Sequence, residues 1–124
     1  MIQRDPGQVE IKAITGTVYL YTHYYGKEIF ADIHRALSKQ RRWDDPPFLT
    51  RMIFGEMVPS MHLTEENGLG IGLVPTTNVP HQITLDCMKG FIHLYQKDPL
   101  PFWGGTFLRF IKEFKTEEYQ QAKL

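Results

Sequence analysis

The chain has 124 residues, the size of one domain that can bury a core without staples, and its single cysteine, Cys87, excludes a disulfide framework and points to a reducing, cytoplasmic setting. Lys plus Arg and Asp plus Glu number 14 each, so the zero net charge gives no general pull toward nucleic acid or an anionic membrane, and leaves self-association into a homo-oligomer open. No apolar run approaches a membrane span, and the first seven residues lack the apolar core of a signal peptide.

Residues 1–10 are polar, contain Pro6-Gly7 and read as a lead-in arm. From Ala13 to His23 the residues are mostly β-branched or aromatic, and this is the strongest strand signal in the chain. Val18 and Leu20 make its core face; Thr17, Tyr19, Tyr21 and His23 make the other. After Gly26, the spacing of Ile29, Phe30, Ile33, Ala36 and Leu37 predicts an amphipathic helix ending near Lys39–Arg41. Asp45-Pro46 opens a second helix, with aspartate at the cap and proline in the first turn, where its missing N–H costs nothing. Phe48, Leu49, Met52, Ile53 and Met57 form its buried stripe, and Pro59 stops it. A polar loop follows over 60–68.

Gly68–Val74 alternates glycine with apolar residues, as a closely packed strand does. Pro75–Pro80 is a loop. Ile83, Leu85 and Cys87 alternate with polar residues, and Phe91–Tyr95 follow Lys89-Gly90, which predicts a hairpin. After a rigid Asp98–Pro101 connection, Phe107, Leu108, Phe110, Ile111 and Phe114 mark a last helix capped by Thr106, with Lys112, Glu113, Lys115 and Glu117 on its charged face. The tail 120–124 is expected to fray. The order β-α-α-β-β-β-α predicts a single α+β domain over 1–124: an antiparallel sheet of about four strands with about three helices mainly on one face. Its core is expected from Val18, Leu20, Ile33, Leu37, Leu49, Met52, Ile53, Ile83, Leu85, Phe107 and Phe110.

Polar chemistry concentrates in two places. Tyr21, His23 and Tyr24 close the first strand, and Arg41, Arg42, Trp43 and Asp44 fill the loop between the first two helices. A guanidinium fork can grip a phosphate or carboxylate, and an aromatic ring can stack on a base. With Arg51, two turns into the second helix, these residues are the candidate ligand-binding set. The bland alternatives are a helix C-terminus whose arginines complement the dipole, a tryptophan that anchors a loop, and a strand-end histidine bonded to backbone. Asp45 reads as a cap rather than an acid catalyst.

Gly68-x-Gly-x-Gly is no dinucleotide fingerprint, because a strand and Pro75 follow where a helix is needed. The histidines at 23, 34, 62, 81 and 93 lack metal-ligand spacing, and no nucleophile–base pairing emerges. Cys87 reads as a small buried hydrophobe. No catalytic residue, metal ligand or cofactor is therefore expected.

Tyr19-Leu20-Tyr21-Thr22-His23-Tyr24, Arg42-Trp43-Asp44-Asp45, Phe48-Leu49-Thr50-Arg51-Met52-Ile53-Phe54 and Gly68-Leu69-Gly70-Ile71 together resemble a family of small uncharacterised bacterial and phage proteins. The family pattern runs Tyr-Leu-Tyr-Thr-His-Trp, Arg-Trp-x-Asp, Tyr-Leu-Ala-Arg-Ile-Ile-Phe, Gly-Tyr-Gly-Ile. This chain departs at Tyr24, Phe48 and Leu69, and the resemblance does not reach beyond Ile71. It implies a phage or mobile-element accessory protein and supplies no activity. The expectation is a non-catalytic binding protein that sequesters a small phosphorylated or nucleotide-like ligand. The alternatives are a protein-binding inhibitor of a host factor, with an aromatic surface from Tyr19, Tyr21, Phe102 and Trp103, and a small hydrolase using His23 as base with Asp44 or Glu56.

Overall fold

A computed structural model describes residues 4–58 and 68–114. Two strands come first, β1 (Gly7–Ala13) and β2 (Gly16–Thr22), then a 3₁₀ turn at Gly26–Glu28. Helices α1 (Ile29–Ser38) and α2 (Pro46–Met57) follow, and then strands β3 (Leu69–Gly72), β4 (His81–Asp86), β5 (Phe91–Gln96) and β6 (Trp103–Thr106). Helix α3 (Phe107–Glu113) is the last described element. The strands form one sheet in the order β3-β2-β1-β4-β5-β6.

Both predicted helix starts are capped as expected. The Asp45 carboxylate accepts from the Phe48 N–H, and the Thr106 hydroxyl from the Arg109 N–H. These bonds satisfy backbone donors that have no partner within their helices. Strand alternation then sorts the sheet into two faces. Val9, Ile11, Leu20, Ile83, Leu85, Ile92 and Leu94 face the helices and are buried with Ile33, Leu37, Leu49, Ile53, Phe107 and Phe110 in one core. Val18 packs on that core partly buried, and Met52 is half-buried at its margin. The α+β class and the helices on one face match the expectation. Arg35 ties α1 to α2 by bonding Asp32 on its own helix and Glu56 on the next, and Lys39 reaches Glu56 as well.

The sheet itself differs from the expectation in three ways. Residues 7–10 are no lead-in arm: they enter β1, the strand that joins the two halves of the sheet. The strand expected over 13–23 is the return limb of a hairpin that turns at Ile14-Thr15. And the sheet is mixed, with six strands, because β1 pairs parallel with β4 while every other pairing is antiparallel. The residues of β6, Trp103-Gly104-Gly105-Thr106, which no strand was predicted to hold, pair with β5, Gly104 lying against the His93 ring where a Cβ would collide. Pro59, the polar loop before Gly68, His62 and everything from Lys115 onward lie outside the described residues.

Parallel strands β3 and β4 must be joined by a crossover, here residues 73–80. It passes over the face opposite the helices. Gln8, buried on that face, holds it with both ends of one amide: its Nε2 donates to the Thr76 carbonyl (3.3 Å) and its Oε1 accepts from the Thr76 N–H (2.7 Å).

Candidate ligand-binding groove

The structure separates the expected ligand residues into two groups. Tyr21 points to the open face of the sheet, since its neighbour Leu20 points into the core. Its hydroxyl bonds His23 Nδ1 at 2.9 Å, and Tyr24 meets the His23 ring edge-on at 4.7 Å. The second group belongs to the helical layer. Trp43 donates its indole N–H to the Leu37 carbonyl and packs edge-on against Phe107. This is the loop-anchor role.

Arg42, at φ 50°, lies over the Phe48 ring and 3.9 Å from Asp45. Arg41 and Asp44 are exposed beside it. Arg51 is exposed on α2 and makes no ion pair with a described residue; the nearby acid Glu56 is taken by Arg35 and Lys39. The Tyr21–His23–Tyr24 cluster and the Arg41–Asp44 loop therefore stand on opposite sides of the sheet. The aromatic surface expected for an inhibitor divides in the same way. Tyr19 and Tyr21 face the open side, whereas Trp103 packs on Phe110 and Phe114.

A larger hollow lies on the open face. A groove of about 950 Å³ runs along β4, floored by Gln82, Thr84 and Tyr95. The crossover, Thr76 to Pro80, walls one side and Lys97–Pro99 the other; Glu10 and Lys12 line its far end. Strand register assembles it: Gln82 lies opposite Tyr95, and Glu10 opposite both Thr84 and Tyr19. The Glu10 carboxylate accepts from both flanking hydroxyls, Tyr19 at 3.0 Å and Thr84 at 3.2 Å. Burial raises the Tyr19 phenol above its ordinary pKa, with Glu10 adding to the shift, so the hydroxyl stays a donor. Two wall residues, Asn78 (φ 60°) and Lys97 (φ 62°), hold left-handed backbone conformations that are uncommon outside glycine and concentrate at functional loops.

A second hollow of about 420 Å³ adjoins the near end, and Pro80 and Lys97 line both. Arg4, Lys27 and Lys97 surround it, with Asp5 and His81 at its wall. Asp5 is already engaged: it accepts from the Lys27 backbone N–H (3.0 Å) and from His81 Nε2–H (2.9 Å). Gln96 Nε2 donates to His81 Nδ1 (3.3 Å), which fixes the tautomer. Burial lowers the His81 pKa; Asp5 opposes this, and the nearby Lys27 and Lys97 ammonium groups add to the lowering. His81 is thus a neutral ring with both nitrogens spent on protein partners. None of Arg4, Lys27 and Lys97 makes an ion pair with a described residue, so three cations face this end of the groove.

Glu10, Gln82, Tyr95 and Lys97 were not legible as a set, because no sequence spacing links β1, β4 and β5; the available signal was the polar alternation of Gln8, Glu10 and Lys12. Burial pushes the Cys87 thiol up to about 11, with Asp86 adding to the shift, which suits an inert thiol rather than a nucleophile. Among the described residues no cluster of three or more His, Cys, Asp or Glu could hold a metal, and no helix is long and apolar enough to cross a membrane. No family model, curated protein or solved structure matches the chain.

Proposed function

We propose that this chain is a non-catalytic binding protein that sequesters a small anionic ligand, phosphorylated or nucleotide-like, in the groove on the open face of its sheet. The observation that carries the reading is the meeting of the two hollows at Lys97, where Arg4, Lys27 and Lys97 gather around one engaged carboxylate. Converging cations in a concave site concentrate and hold an anion. The polar floor of Gln82, Thr84 and Tyr95 suits the uncharged body of such a ligand. The spent nitrogens of His81 favour holding the ligand over turning it over. The site so proposed lies away from the Arg41–Asp44 loop.

Isothermal titration with ribose 5-phosphate tests this. Affinity should fall with added salt and drop roughly ten- to a hundredfold in Lys97→Ala, the loss of one charged hydrogen bond. Arg42→Ala and Arg51→Ala should bind as the parent does, and the ligand should be recovered intact. The reverse pattern would return the site to the helix–helix loop. The second reading, a protein-binding inhibitor, draws on the exposed Ile71 of the outer strand β3 and on Leu73 and Val74 just after it. Apolar side chains on a strand edge suit addition of a partner strand, and a stoichiometric complex with a host protein would favour it.

A further inference from the structure

The far end of the groove carries a different chemistry from the near end. Glu10 stands in the middle of the open face, on the strand that joins the two halves of the sheet. Among the described residues no Lys or Arg comes within ion-pair distance of it. Its two oxygens each accept one hydroxyl, from strands on opposite sides. An ionised carboxylate offers about four lone-pair sites. The hydroxyls therefore fix the plane of the group and leave an acceptor site on each oxygen, with the groove beside it. A carboxylate held in this way is set to receive two parallel N–H donors.

Resting on the reading of the groove as an anion-holding site, we infer that Glu10 receives a planar pair of N–H donors on the same ligand whose anionic end lies at Lys97. That donor pair is shared by the edge of a guanine base and by a guanidinium group. The spacing fits one small molecule. Glu10 lies three residues along β1 from Gly7, which pairs with His81 at the cationic end, and three strand residues span about 10 Å. Tyr95 and Gln82 lie between the two ends, where a flat ring has an aromatic neighbour and an amide. A ligand with an acceptor in place of a donor would face Glu10 with like-signed partial charge, and a site built to hydrogen-bond a donor rejects analogues that lack it.

Isothermal titration of the whole protein separates the possibilities. GMP and AMP differ at the edge that would face Glu10. Arginine and lysine differ in presenting a fork or a point charge. GMP should bind about tenfold or more tightly than AMP if the donor pair comes from a base; arginine should exceed lysine by a similar factor if it comes from a guanidinium. Glu10→Gln should abolish whichever preference is found. Tyr19→Phe, which frees one carboxylate oxygen, should shrink the same preference and serves if Glu10→Gln does not fold. Absence of both preferences in the parent protein, or a preference that survives both substitutions, overturns the inference while ribose 5-phosphate binding keeps the groove as an anion site. Failure of ribose 5-phosphate, GMP and arginine alike to bind overturns both.

Discussion

Asp32 is buried on α1 beside Arg35. Burial drives its carboxyl up to about 7; Arg35 pulls it back, while Glu28 and Glu56 push it further. An aspartate in the unfolded chain titrates near 4 (about 3.9). Between about 4 and about 7 the folded protein thus binds more protons than the unfolded one, and stability falls as pH rises through that window. His81 works the other way, since its lowered pKa means that its contribution is present above about 6.5 and fades on acidification. The Asp32 effect is therefore read as a difference: urea unfolding of Asp32→Asn should lose the decline between pH 4 and 7 that the parent carries, and parallel curves would refute it. Glu56 behaves differently from Asp32. Burial pushes it up as well, but bonds from Arg35 and Lys39 hold it below the usual range. At the next helix start, Asp45→Ala should lose about 0.5–2 kcal/mol of stability with ribose 5-phosphate affinity intact. A collapse of affinity at unchanged stability would make Asp45 part of a binding site instead of a cap.

At the scale of elements, legibility followed burial on one face. The helices α1, α2 and α3 announce themselves because each lays an apolar stripe on a single core, and α2 carries cap and proline as well. Leu49 and Ile53 are fully buried from α2, so Leu49→Ala or Ile53→Ala should cost about 2–5 kcal/mol in equilibrium unfolding; a cost near zero would mean that α2 does not seal the core. Strand β1 stayed hidden for a physical reason. Only Val9 and Ile11 serve its core face, while Gln8, Glu10 and Lys12 serve the groove, so a polar functional face looks like a polar arm. Strand β6 contains two glycines, residues that strands avoid, and it is held by its β5 partner rather than by propensity. The parallel β1–β4 register links segments far apart in sequence, and local pattern carries no record of such a pairing. The site was hidden with the strands: His23 and Arg42 stand out as residue types, yet Glu10 and Lys97 are joined only by the sheet.

For the whole molecule, Gln8 connects architecture to the groove. It sits under the crossover with 1% of its surface exposed and supplies both hydrogen bonds to Thr76. Two neutral hydrogen bonds contribute about 0.5–1.5 kcal/mol each. Gln8→Ala should therefore lower stability by about 1–3 kcal/mol, and it should weaken ribose 5-phosphate binding several-fold, because one wall of the groove loses its tether. Unchanged affinity in the folded variant would show that the crossover keeps its place without Gln8. The close approach of Gly26 to the Pro6 and Asp5 carbonyls and to His81 has a matching role at the other end. It lets the segment that carries Arg4 and Asp5 lie flat beside the second hollow.

The parallel seam between β1 and β4 also sets an order of events in folding. Strands β4, β5 and β6 form a continuous meander and β1 with β2 a tight hairpin, so each can assemble from near neighbours on the microsecond scale. The seam that joins them closes a far longer loop: Asp5 meets His81 across 76 residues. Such closures slow folding, because chain entropy is lost before the contacts that reward it are made. The groove spans this seam, with Glu10 on one side and Gln82 and Thr84 on the other. It therefore exists only once this long-range closure is made, and a ligand bound across it clasps the two halves of the sheet together.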